Sequence, residues 1–424
     1  MIKITSIDSY MVLDSRGYPT VACKIMLNDQ YEGIAYVPSG ASTGQYEALE
    51  LRDGNPDYYC GKGVNQAIGL IKSKLTPLLM HKTFEDQNSF DALLKSIDGT
   101  KTYQSLGANT VLSLSLAFAR AMAKSNHIEL FQGIESQTEL TLPVPMLNVV
   151  NGGAHANNQL DIQEFMIVPH GFDYFSDAIR AGCEVYHHLK KYLASHQFST
   201  AVGDEGGFAP TITSPDQVLN ILAEVIDKAG YKLGKEISFA LDVAASEFYH
   251  SGHYHYKQQT LSSDQLIDVW SQLVADFPII SIEDPLSDDD VAGWQTMTKR
   301  LGDKVLIVGD DLLVTSYDKL KQGIDEHWMN SILIKLNQVG SLSETLKAIH
   351  LAKANRKSFI ISHRSGETED DFIADLAMAT NAPFIKTGAP CRSERLAKYN
   401  RLLTIEHQLK AKMFHFNIDA YTHG

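Results

Sequence analysis

From about residue 140 onward, short apolar runs recur, and each closes on a polar residue. The runs are ISFALD with Asp242, PIISIED with Glu283, VLIVGDD with Asp310, SILIK with Lys335, SFIISHRS with His363 and PFIK with Lys386. Successive polar residues are 41, 27, 25, 28 and 23 positions apart. Between them lie stretches with helical spacing of apolar positions, such as SETLKAIHLAKAN and DDFIADLAMAT. A strand followed by a helix, repeated at this interval, predicts an α/β fold of the (β/α)8 TIM-barrel type. A doubly wound open sheet is the alternative, but no GxGxxG follows any strand.

The pattern before residue 136 is different. TVACKIML alternates with period two through Val21, Cys23, Ile25 and Leu27, turns at Asn28-Asp29 and resumes, which predicts a β-hairpin. PSGASTGQYEALELRDG predicts a small-residue loop running into a short acidic helix. GVNQAIGLIKSKLTPLLM and GANTVLSLSLAFARAMAKS carry helical spacing. The expected organisation is a smaller α+β capping domain over residues 1–135 and a barrel domain over 136–424.

Composition narrows the function. The 424 residues are 44% hydrophobic and 21% charged, ordinary values for a globular protein. The formal net charge of −14 disfavours a nucleic-acid groove, which needs a basic face. No apolar run reaches membrane-span length, and the alternating start MIKITSIDSYMVLDSRG reads as a strand, not as a signal peptide. Cys23, Cys60, Cys183 and Cys391 form no CxxC pair, so neither a zinc site nor a disulfide framework is expected. The expected compartment is the reducing cytoplasm.

In barrel enzymes the chemistry sits at the C-terminal ends of the strands, where all six polar residues fall. Asp242, Glu283 and Asp310 would converge there as oxygen ligands, a set that suits Mg²⁺. Lys335, Lys386 and Arg364 gather cations, and Arg364 with Ser365 suits a phosphate or carboxylate. Together they imply a phosphorylated, carboxylated small molecule. A further pair of acids, Asp204 and Glu205, lies among glycines in AVGDEGGFAP, where either a solvated turn or a close backbone approach is expected.

The chain resembles the enolases (phosphopyruvate hydratases) of bacterial type along essentially its whole length. The resemblance rests on LDSRG, PSGASTG, NGGAHANNQLDIQEFM, GDEGGFAP, LDVAASEF, SIEDPL, GDDLLVT, KLNQVGSLSET, SHRSGETEDDFIADL and IKTGAPCRSERLAKYNRLL, all in order. It implies an enolase-like barrel whose first hairpin breaks the regular βα order, and reversible dehydration of 2-phosphoglycerate to phosphoenolpyruvate. It also implies Lys335 as base and Glu205 as the residue acting on the leaving hydroxyl. Asp242, Glu283 and Asp310 match the ligands of a tightly bound Mg²⁺, and Ser42 a ligand of a second Mg²⁺ that arrives with substrate. Gln163, Arg364, Ser365 and Lys386 match substrate contacts, and His155, Glu164 and His363 match residues lining the pocket. A homodimer or higher homo-oligomer is expected.

A lysine base must be neutral, so its burial, Lys386 and the metal are expected to lower its pKa from about 10.4 to roughly 7–8. Glu205 must carry a proton, and Asp204 is expected to be an orienting neighbour. Tyr18 stands where the family usually has Asn, and Asn157 where an acid or glycine is commoner. His250, His253 and His255 in YHSGHYHYKQQ are expected to form a solvated hairpin and not a metal cluster, on the argument that strand alternation separates them. A secondary cell-surface role, binding host plasminogen, is the distinct alternative. It is the weaker one, since DAYTHG ends without a lysine.

Overall fold

Four strands form the N-terminal sheet: β1 (Ile2–Leu13), β2 (Pro19–Leu27), β3 (Tyr31–Tyr36) and β4 (Thr83–Phe84), in the order β3-β2-β1-β4. All three pairings are antiparallel. The β2–β3 turn is built on Asn28 at φ 52 and Asp29 at φ 57, residue types that tolerate the left-handed region. The structure, a computed structural model, describes residues 2–40, 46–153, 156, 158 and 160–421.

Helix Ala108–Ser125 packs across β2 and β3. It comes so close that a Cβ on Gly33 would lie 2.0 Å from the Ala117 carbonyl oxygen, so β3 needs glycine there. The helical stretch over 65–79 contains a π turn at Ile71–Leu75, just before Pro77, which cannot donate the next backbone bond. The acidic helix expected after the PSGASTG loop does not form. Residues 46–53 are irregular, because their side chains are drawn into distant contacts: Glu47 pairs with Arg364, and Arg52 bonds the Pro19 carbonyl.

The second part is a closed barrel. Its strands are β5 (Val144–Asn151), β6 (Glu164–Val168) and β7 (Ser238–Asp242), then, after a small sheet of β8 (Tyr249–His250), β9 (His253–Tyr256) and β10 (Gln259–Leu261), β11 (Ile279–Glu283), β12 (Leu306–Gly309), β13 (Ser331–Ile334), β14 (Ser358–Ser362) and β15 (Phe384–Lys386). The circular order is β11-β12-β13-β14-β15-β5-β6-β7. Only β6 runs against its neighbours; the other pairings are parallel. The expected barrel with an irregular first hairpin is therefore present. Strands buried along their whole length, such as FALD of β7 and FIIS of β14, read as continuous apolar runs for that reason.

The two parts are tied by a half-buried ion network. Arg120 of helix 108–125 donates to Asp370 at 2.6 and 2.9 Å and to Asp371 at 2.8 Å, while Asp370 also accepts the Tyr36 N–H at 2.9 Å. Nearer the barrel mouth, Ser39 and Gly366 exchange two backbone hydrogen bonds at 2.8 and 2.9 Å. Ser42 follows directly but lies outside the described residues, as do His155 and Asn157.

Candidate active site

All six strand-closing residues meet at one end of the barrel, because parallel strands in register end on one rim. Strand β6 is reversed, so its first residue, Glu164, joins that rim. Glu164 pairs with Asp242, and Asp242 with Glu283, giving three acids side by side across β6, β7 and β11. Lys386 bridges them, with Nζ 2.7 Å from both Asp242 Oδ2 and Glu283 Oε2 and 3.4 Å from Glu164. On the other side Lys335 touches Asp310 directly. Asp310 also accepts from Gln338 Nε2 at 3.0 Å, and Gln338 is held by the Thr315 hydroxyl at 2.6 Å.

Arg364 stands over the same space. Its guanidinium donates to Asn337 at 2.7 Å and to Glu47 at 3.2 and 3.3 Å, so the N-terminal part contributes to the mouth. Gln163 and Ser365 also line this space.

The AVGDEGGFAP loop resolves its own puzzle. Asp204 is exposed and Glu205 is 2% exposed, pointing into the mouth. Gly206 takes φ +84, and a Cβ on Gly207 would lie 2.4 Å from Asn151 Oδ1. The glycines thus let the backbone press against β5, where Phe208 N–H bonds the Val149 carbonyl at 2.9 Å. Glu205 accepts from Asn148 Nδ2 at 2.9 Å and lies 3.5 Å from His363 Nε2. His363 Nδ1 accepts from Arg395 at 2.7 Å, which leaves the ring proton on Nε2, facing Glu205. Burial pushes His363 down to about 4, so it is neutral near pH 7.

The charges do not balance. Burial, then the Glu205 charge, hold the Glu164 carboxyl well above the usual range. Burial and Asp242 push Glu283 up, burial and Asp311 push Asp284 up, and burial with Asp310 lifts Asp311 to about 7. Lys335 departs from its expected direction. Burial alone would lower its pKa, but the Asp310 carboxylate outweighs burial and raises it. The missing element in the expectation was that direct contact.

Do these residues fit Mg²⁺? The donors are all oxygens, and the acids exceed the two lysines and Arg364. Among the described residues Asp284, Asp310 and Asp311 have carboxylate oxygens within 4.8 Å of one another. Asp284, however, accepts the Asp310 and Asp311 N–H groups at 2.9 and 3.0 Å, aided by its φ of 41, and so shapes the turn after β12. That favours Asp242, Glu283 and Asp310 as the available donors. Buried carboxylates in excess, partly answered by lysine ammoniums, suit a divalent cation.

Sequence reasoning did not single out Glu47, Asn148, Asn337, Gln338 or Arg395. Each touches a group that it did single out. Asn337, Gln338 and Arg395 lie within the recognised segments KLNQVG and CRSERLAKY, but nothing in their local pattern marks them.

Fold and site together define the class: a TIM-barrel enzyme with acid–base groups and an acidic cluster at its mouth. The enolase N-terminal domain matches residues 4–134, and the enolase C-terminal TIM barrel domain matches residues 139–422. An enolase of Wolinella succinogenes is 50% identical over 412 residues, covering 96% of this chain and 97% of that protein. The chain belongs to the enolase family. Its reaction is that of a phosphopyruvate hydratase, the dehydration of 2-phosphoglycerate to phosphoenolpyruvate in glycolysis, and the family depends on Mg²⁺.

Proposed function

We propose that Lys335 takes the C2 proton of 2-phosphoglycerate and that Glu205 gives a proton to the departing C3 hydroxyl. The observation that carries this reading is the placement of the two groups. Lys335 follows β13, while Glu205 is held by Asn148 of β5, three strands further round the barrel. A substrate lying across the mouth would meet the base from one side and the acid from the other. Loss of the C2 proton leaves its electron pair on C2 and the adjoining carboxylate, and that pair then forms the C2=C3 bond as the C3–O bond breaks. Hydroxide leaves as water with the proton of Glu205, and Lys335, which must first give up the proton that its Asp310 contact favours, ends as the ammonium.

Glu164 supports the acid by sharing its proton. Neutral His363 offers an N–H toward Glu205 without adding charge. Arg364, pre-set by Glu47 and Asn337, with Ser365, Gln163 and Lys386, would receive the phosphate and carboxylate; His155 would join the lining. Asp242, Glu283 and Asp310 would hold one Mg²⁺, and Ser42 would serve a second arriving with substrate. When bound, the metal supplies positive charge to the substrate carboxylate.

In the same reading the capping domain spans residues 1–135 and the barrel domain 136–424, the protein works in the cytoplasm, and it assembles as a homodimer or larger. No helix among the described residues is long and apolar enough to cross a membrane.

Proton handling can be separated by mutation. In D₂O with Mg²⁺, Glu205→Gln keeps the base and should exchange the C2 hydrogen while forming little product. Lys335→Ala should do neither. Each should lose at least the roughly 10²–10⁴-fold typical of acid–base groups. Exchange that survives in Lys335→Ala and vanishes in Glu205→Gln would reverse the two roles.

A further inference from the structure

The three histidines next to the active-site segment LDVAASEF were expected to be kept apart by strand alternation. The structure places them on one face of the small sheet. His250 of β8 and His253 of β9 are direct cross-strand partners, so their side chains share a face. His255 is two residues beyond His253 and returns to that face. The His250 and His255 rings lie 5.8 Å apart, tilted by 32°. All three are exposed, while the alternate residues Tyr254 and Tyr256 are buried beneath them.

The platform is firm. Tyr254 donates to Asp290 at 2.8 Å, and Tyr256 packs edge-on against Trp270 at 5.4 Å. The turn Ser251-Gly252, at φ 53 and 81, is the two-residue left-handed kind that fixes hairpin register. Two of the rings are also oriented. His253 Nδ1 lies 3.2 Å from the Ser251 carbonyl, to which it can only donate, so its Nε2 keeps the lone pair. His255 Nδ1 lies 3.4 Å from the hydroxyl of its cross-strand partner Thr260, so Nε2 is the nitrogen not engaged there. A histidine whose second nitrogen is engaged in this way is the usual form of a metal ligand.

We infer that His250, His253 and His255 form a surface site for one divalent transition ion of the imidazole-preferring class, Zn²⁺, Ni²⁺ or Cu²⁺. The three sets of ring nitrogens do not all lie within 4.8 Å of one another, so metal–nitrogen bonds of about 2.0–2.1 Å require the exposed rings to swing together by χ rotation. The site is chemically unlike the barrel mouth, where the donors are oxygens and suit Mg²⁺. Its setting gives it a reach beyond the hairpin. Lys257, just after β9, donates its N–H to Asp161 at 3.0 Å, two residues before Gln163, and its Nζ pairs with Asp216 at 3.0 Å. An ion that cross-links β8 to β9 would stiffen the strand that carries this contact.

The test is calorimetric titration of the full chain with Ni²⁺ alone as titrant, in excess Mg²⁺ so that the carboxylate centre is already served. One Ni²⁺ per chain should bind with affinity better than about 100 μM. His253→Gln and His255→Gln should each weaken it by at least the roughly 10–100-fold that even an outer-sphere loss costs. His187→Gln, on a helix elsewhere, should leave it unchanged. Hydrogen exchange over residues 249–261 should slow with Ni²⁺ in the wild-type chain and not in the triple variant H250Q/H253Q/H255Q. Equal binding by that variant, or no binding by the wild-type chain at that concentration, would overturn the assignment.

Discussion

Two charge clusters in this molecule are built on opposite plans. In the network between the N-terminal sheet and the barrel, Arg120 meets Asp370 and Asp371, and Arg120 and Asp370 favour each other's charged forms. Burial works against Asp370, but Arg120 outweighs it and holds the carboxyl below its ordinary value; burial likewise opposes Arg120, and Asp370 raises it. At the barrel mouth the same burial is left largely unanswered, and Glu164, Glu283, Asp284 and Asp311 are all pushed upward. Matched buried charges make a fastening. Surplus buried charge of one sign makes a demand, and marks where a cation and a substrate belong.

The sharpest way to break this contrast is to unmatch the fastening. Arg120→Met leaves Asp370 buried without its counter-ion and should cost about 3–5 kcal/mol in urea unfolding. Turnover per folded molecule should be preserved. A loss under about 1 kcal/mol would place the network with ordinary surface pairs. The next test feeds the demand. Mg²⁺ at a hundredfold excess over its dissociation constant should stabilise the wild-type chain by about 2.7 kcal/mol. Asp310→Asn should remove most of that gain together with activity, while remaining folded; unchanged Mg²⁺ stabilisation in this variant would take Asp310 out of the site.

The smallest effect concerns Asp311, whose pKa rises from 3.8 to about 7. A raised folded-state pKa contributes stability that is complete below the unfolded value of 3.8 and is lost as pH rises through about 7. In chelator, Asp311→Asn should therefore be more stable than the wild type above pH 7, by about 0.5–2 kcal/mol. The two should converge toward pH 4. A gain independent of pH would mean that packing, not charge, was relieved.

Much of the barrel and its site was legible because buried parallel strands are apolar throughout, so a lone Asp or Lys at their end is conspicuous. Lys335 after SILI and Lys386 closing FIK are the clearest cases. Contacts that join distant segments were not legible. Glu47 and Asn337 reach Arg364 from opposite parts of the chain, and the pull of Glu47 and Arg52 toward such partners is why the acidic stretch at 46–53 forgoes its helix. The histidine face was misjudged for a different reason: alternation sends Tyr254 inward, but it returns His255 to the side of His253, and only the cross-strand register adds His250. The direction of the Lys335 shift depended on one contact with Asp310 that no local pattern encodes.

The reversal of β6 has a consequence for how the catalytic groups are inherited. Strands β6 and β7 meet at the far end, where Val168 pairs with Ser238. The chain between them climbs helix Phe175–Ser195, turns at the mouth with Glu205 at its tip, and descends helix Pro215–Lys228. The proposed acid therefore sits on a helical excursion packed against the barrel, whereas the proposed base is part of the barrel wall. Substitutions confined to segment 169–237 would re-tune proton donation while the wall carrying Lys335 stays the same.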